Sequence, residues 1–271
     1  MSNEDRFDPP SESPKPARHR HAVEVVPDAA ALATRAAEWL IEQIVHAVQR
    51  RGRAVVCLSG GSTPKAVFAL LAQHPWRDRI AWDKLHLFWG DDRFVPPGDP
   101  VSNYTMTRAA LLDHVDMPAS HVYPVPSDEG SPTDGGDATF ERARIAAELY
   151  ATTLHAFHGS DRLSDDHPLF DVVMLGVGDD GHTASLFPGS PALDEQRAWV
   201  VPARTTNAPA PIRVTLTYPA LASTHAVVFL AAGAGKHAMV RRVLDGDRSL
   251  PAARVEPVGG TLWILDEAAA R

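Results

Sequence analysis

Gly176, Gly178 and Gly181 interleave with Asp179 and Asp180 and run directly into His182. A histidine two residues from a carboxylate can act as a general base whose ring the acid orients. The alternative is a histidine satisfied by backbone bonds in a buried turn; the surrounding glycines and acids at a strand end favour the catalytic reading. The same glycines match the G-x-G-x-x-G dinucleotide fingerprint, but Pro188 cuts the following segment short and no strand ends in an acid about 20 residues on. Two aspartates would also face a pyrophosphate, which Coulomb repulsion disfavours. No serine sits in a G-x-S-x-G elbow, and Ser185 falls in the short helix expected before Pro188. Asp180 and His182 lack a third ligand, so no metal is expected.

Three further stretches could bind a ligand. Ser59, Gly60, Gly61, Ser62 and Thr63 combine bare backbone N–H groups with hydroxyls ahead of a helix, which is the chemistry of an anion cradle. A tight turn whose hydroxyls cap the helix is an equal alternative, and the P-loop spacing is absent. Asp91, Asp92 and Arg93 end another apolar run, where an ion pair at the surface would be the plain reading. Arg213 follows a proline-rich loop and Lys236 a glycine-containing turn. Each either covers a phosphate or is a solvated surface charge.

These groups need elements to hold them. Strands are expected at 22–26, 54–58, 82–89, 122–125, 170–175, 199–202, 212–216, 226–230 and 261–265, from apolar and β-branched runs. Helices are expected at 29–50 with Asp28 as N-cap, 66–72, 102–112 with Ser102 as N-cap, 139–157 and 237–244. Polar loops are expected at 127–137 and 159–168. The alternation predicts an α/β fold: a single domain with a mostly parallel Rossmann-like sheet flanked by helices, and a small antiparallel addition near 200–216. Parallel strands would bring the polar strand ends to one edge of the sheet, where ligands bind in open α/β folds. Residues 1–20 are rich in Pro, Ser, Glu and Arg and read as a disordered tail, leaving 21–271 as the domain; His19 and His21 there are read as solvated rather than metal-binding.

Over 271 residues the formal net charge is -8, which argues against nucleic acid or an anionic membrane as the main partner. It leaves room for a small anionic substrate in a local basic pocket. One cysteine, Cys57, excludes a disulfide framework. No stretch approaches the roughly 18 apolar residues of a membrane span, and no signal-peptide core opens the chain, so the cytoplasm is the expected compartment. The oligomeric state is left open.

The sequence resembles the 6-phosphogluconolactonase family. The matching segments are LSGGSTP at 58–64, WGDDRFVP at 89–96, SNY at 102–104, GVGDDGHTASLFPG at 176–189, IRVTLTYPAL at 212–221 and GAGK at 233–236. The resemblance implies the fold shared with glucosamine-6-phosphate deaminases and ribose-5-phosphate isomerases. It also implies hydrolysis of 6-phospho-D-glucono-1,5-lactone to 6-phosphogluconate in the oxidative pentose phosphate pathway, with no cofactor or metal. It places the catalytic histidine at His182, with Asp180 either orienting the ring or binding sugar hydroxyls. The phosphate loop falls on Ser59, Gly60, Gly61, Ser62 and Thr63, and the basic contacts on Arg93, Arg213 and Lys236; Asp91 and Asn103 join the substrate site. The chain departs from the family pattern at Asp92, where a glutamate is usual, at Ala208, where a lysine is common, and in the tail. The deaminases carry a glutamate where this chain has Phe187, so the loss of that acid favours a lactonase over a deaminase or isomerase. A phosphosugar-sensing regulator on the same fold would need a DNA-binding module, for which the tail offers no helix-turn-helix pattern.

Overall fold

The computed structural model describes residues 21–130, 136–206 and 210–271. The tail expected at 1–20, part of the polar loop at 127–137, and Ala208 with the proline before Ala210 lie outside the described residues. In chain order the elements are β1 (His21–Val26), α1 (Ala29–Arg51), β2 (Ala54–Leu58), α2 (Ser62–Leu71), β3 (Leu85–Trp89), β4 (Asp91–Arg93), α3 (Asn103–Ala110) and β5 (Val122–Tyr123). They continue with α4 (Gly136–His158), β6 (Phe170–Leu175), β7 (Val200–Arg204), β8 (Ile212–Leu216), α5 (Tyr218–Ala222), β9 (Thr224–Ala231), α6 (His237–Leu244), β10 (Gly260–Asp266) and α7 (Glu267–Ala270).

Seven strands form a parallel sheet in the order β1-β10-β9-β6-β2-β3-β5. Its central strands are buried along their whole length, as expected when helices cover both faces of a parallel sheet. Helix α1 buries Leu32, Leu40, Ile41 and Ile44 against the sheet, starts on the Asp28 carboxylate and stops at Gly52 in the left-handed conformation. From β2 the chain steps to β3 on one side, yet β6 pairs on the other side. The order therefore reverses between β2 and β6, and the crevice beyond their carboxyl ends is where such sheets take ligands.

The expected antiparallel addition is a second sheet, β4-β8-β7. Gly90 joins the two sheets: its N–H donates to the Leu58 carbonyl at 2.9 Å, and its carbonyl accepts from Leu216 N at 2.8 Å. The structure differs from expectation in three places. The stretch before Pro188 is not a helix; Thr183 and Leu186 pair across a tight bridge instead. Strand β4 was not expected, because Asp91, Asp92 and Arg93 carry no apolar pattern. Helix α2 also starts earlier than expected, at Ser62, so half of the glycine-rich turn is its first turn.

Candidate active site

Four strand ends meet at the crevice. Strand β2 delivers Ser59, Gly60 and Gly61; β3 delivers Asp91; β6 delivers the segment with Asp179, Asp180 and His182; and β9 delivers Lys236. With Arg93 and Asn103 these residues, Asp180 excepted, line one cavity of about 300 Å³. A second cavity, of about 320 Å³, shares Gly61, Arg93 and Asn103 with the first and adds Ser62, Lys65 and Arg213. Thr63, in the first turn of α2, lines neither.

His182 Nδ1 lies 2.5 Å from Asp180 Oδ1, and the same oxygen accepts the His182 backbone N–H at 3.1 Å. A carboxylate can only accept from the ring, so Nδ1 carries the proton and Nε2 keeps a free lone pair. Burial alone would push the Asp180 carboxyl up, but the backbone and ring donors of His182 outweigh it and hold the group below the ordinary aspartate range. The Phe187 ring packs against the imidazole, with centroids 4.7 Å apart. Asp180 and Phe187 line a different neighbouring cavity from the one His182 faces, which puts the carboxylate behind the ring. Gly178 makes this approach possible: a Cβ there would sit 2.0 Å from His182 Nδ1.

The bridge that replaces the expected helix has its own purpose. Ala184, in the wall beside His182, has φ 48°, a left-handed conformation that costs a non-glycine residue about 1 kcal/mol. Its neighbours hold it there. Thr183 Oγ1 donates to the Gly176 carbonyl at 2.9 Å, and Ser185 N donates to Thr215 Oγ1 at 3.2 Å. Ser185 Oγ donates to Asp91 Oδ2 at 2.6 Å. The sequence reading set Ser185 aside because it assumed a helix; here Ser185 ties the histidine segment to the Asp91 carboxylate.

The Asp91–Asp92–Arg93 stretch divides its work. Asp92 is 3% exposed and accepts from Asn103 N (2.6 Å), Ser102 Oγ (2.9 Å) and Tyr104 N (3.0 Å), so it anchors the start of α3. Burial pushes its carboxyl up to about 6, against these donors. Asn103 Nδ2 donates to the Asp91 carbonyl at 2.9 Å, and its Oδ1 accepts from Arg93 at 2.9 Å. Arg93 also donates to the Val101 carbonyl at 2.5 Å. Gly60 leaves room for this arrangement, since a Cβ there would meet Asn103 Oδ1 at 1.8 Å.

The sequence reading paired Arg213 with Lys236, but they line different cavities. Lys236 Nζ lies 2.5 Å from Asp179 in the cavity of His182. Arg213 is 5% exposed in the second cavity, and burial followed by the neighbouring Arg93 charge lowers it to about 10. Ser59 Oγ is likewise buried and without a hydrogen-bond partner among the described residues. Among those residues no group of three or more His, Cys, Asp or Glu could hold a metal ion. A proton-accepting histidine, cavity-lining carboxylates and an adjoining basic cavity together suit water attack on an anionic, hydroxylated substrate.

The chain is similar to proteins of known activity. The model for the glucosamine-6-phosphate isomerase/6-phosphogluconolactonase family matches residues 27–264. The chain is 40% identical over 241 residues to the 6-phosphogluconolactonase of Streptomyces coelicolor, covering 88% of this chain and 89% of that one. It is 36% identical over 253 residues to the 6-phosphogluconolactonase of a Nostoc species, covering 92% and 97%. The solved structure of 6-phosphogluconolactonase from Trypanosoma brucei matches with a TM-score of 0.78 at 29% identity, over 93% of this chain and 98% of that one.

Proposed function

The chain belongs to the glucosamine-6-phosphate isomerase/6-phosphogluconolactonase family, and from that premise we propose that it hydrolyses 6-phospho-D-glucono-1,5-lactone to 6-phosphogluconate, a step of the pentose phosphate pathway. The observation that carries the mechanism is the imidazole of His182, backed by Asp180 and open through Nε2 to the cavity that holds Ser59, Asp91 and Lys236.

Water attacks C1 while Nε2 takes its proton, and the carbonyl electrons move onto oxygen. Arg93 or the exposed N–H groups of the glycine turns stabilise that oxyanion. On collapse the bond between C1 and the ring oxygen breaks, and the imidazolium returns its proton to the departing oxygen, giving the carboxylic acid and the 5-hydroxyl. Asp91 and Asp179 accept hydrogen bonds from sugar hydroxyls, and Asn103 holds the wall that Arg93 presents. The phosphate binds beyond Gly61, held by the Ser59–Gly60–Gly61–Ser62 turn and Arg213. Such remote anchoring positions the carbonyl for attack. Phe187 packs against the histidine without adding a second acid, which a lactonase does not need.

The lactone is generated from glucose 6-phosphate by its dehydrogenase, and its disappearance is followed by NMR with and without this protein. Clear acceleration over spontaneous opening is expected. His182→Ala should lower kcat by about 10²- to 10⁴-fold while circular dichroism stays native. A folded His182→Ala enzyme with wild-type turnover would remove His182 from the mechanism.

A further inference from the structure

The second cavity carries more positive charge than the mechanism has used. None of its lining residues is acidic, whereas the cavity of His182 contains Asp91 and Asp179. Arg213 in its wall is 5% exposed, and its Nε and one terminal nitrogen have no hydrogen-bond partner among the described residues. A buried guanidinium left without acceptors is costly, and a bound oxyanion supplies what it lacks. Helix α2, ten residues long, opens into the same cavity at Gly61 with no side-chain cap, so the Ser62 and Thr63 N–H groups ahead of Pro64 are left to an acceptor. One turn in stands Lys65, exposed, lining the cavity, and free of any ion pair among the described residues. A flexible ammonium at such a rim can fold over a bound dianion.

We propose that Lys65 is a phosphate-binding residue, closing its ammonium over a substrate phosphate held between Arg213 and the first turn of α2. The proposal rests on the sugar-phosphate reading above. It divides the substrate between the two cavities: the dianion goes to the one without carboxylates, and the hydroxylated ring to the one with them. Arg93 and Asn103 form the wall between. Lys65 thus selects for the phosphorylated lactone without touching the carbonyl that reacts.

Wild type, Lys65→Met and Lys65→Arg are compared in two ways: by kinetics on 6-phosphogluconolactone, and by thermal stabilisation with inorganic phosphate. Lys65→Met should raise KM about tenfold, the loss of one charge-assisted contact, with kcat within about twofold. It should weaken the stabilisation by phosphate, and Lys65→Arg should restore both. Unchanged KM together with unchanged phosphate stabilisation overturns the proposal, and so does a fall in kcat at constant KM. If the wild-type protein does not open the lactone at all, the reading of the reaction fails instead. Phosphate stabilisation then decides for Lys65 alone: weaker in Lys65→Met supports it, equal in both proteins overturns it.

Discussion

At the scale of single residues, the chemistry turns on which nitrogen of His182 is free. The 2.5 Å contact with Asp180 assigns Nδ1 to the carboxylate and leaves Nε2 for water. Asp180 bonds the ring and lines a different cavity, a placement that favours a role through the imidazole over one on sugar hydroxyls. Asp180→Asn should therefore lower kcat at least about tenfold with KM nearly unchanged, as loss of an orienting charge does; a raised KM at constant kcat would return Asp180 to hydroxyl binding. Its carboxyl is held below the ordinary aspartate range, so Asp180 is ionised at neutral pH. The pair of residues was legible in the sequence as D-G-H after a strand. Their roles were not, because two residues of spacing permit either a ring contact or two side chains pointing apart.

At the scale of elements, Asp92 is the joint between β4 and α3. Its four acceptor contacts include the backbone N–H of Arg93 at 2.7 Å, so moving Asp92 moves the wall between the cavities. Its folded pKa of about 6 lies above the unfolded aspartate value of about 3.9. The folded protein therefore holds this proton over a window in which the unfolded chain has lost it. The resulting stability is fully present below about pH 4 and is lost as pH rises through about 6. Relative to Asp92→Asn, which cannot titrate, wild type should lose about 1 to 3 kcal/mol across that window. Urea unfolding of both proteins at several pH values measures this, and a pH-independent difference would show that Asp92 does not titrate there. In the sequence, the second aspartate looked like a shortened glutamate of a binding motif. Only the fold shows it turned inward to the amides of α3.

At the scale of the whole molecule, a chain with net charge -8 gathers Lys65, Arg93 and Arg213 around one cavity. An anionic substrate therefore meets a local field opposite in sign to the global one. Raising NaCl from about 0.02 M to about 0.5 M should raise KM severalfold and leave kcat nearly constant, since screening weakens phosphate binding and not the chemistry; a KM indifferent to salt would deny the basic cavity its part. The parallel α/β architecture, the position of every strand but β4 within a few residues, and the family were all determined by the sequence. Apolar runs, glycine turns and motif order are local and additive, and they survive without knowledge of the fold. The tertiary structure decided the rest. It placed Ser185 in a strained bridge against Asp91, made Asp91–Arg93 a strand, separated Arg213 from Lys236, and put Lys65 and Arg213 in the wall of one cavity. These are relations between residues tens to more than a hundred positions apart. Their geometry comes from the reversal of strand order between β2 and β6 and the docking of the second sheet, which no periodicity along the chain encodes.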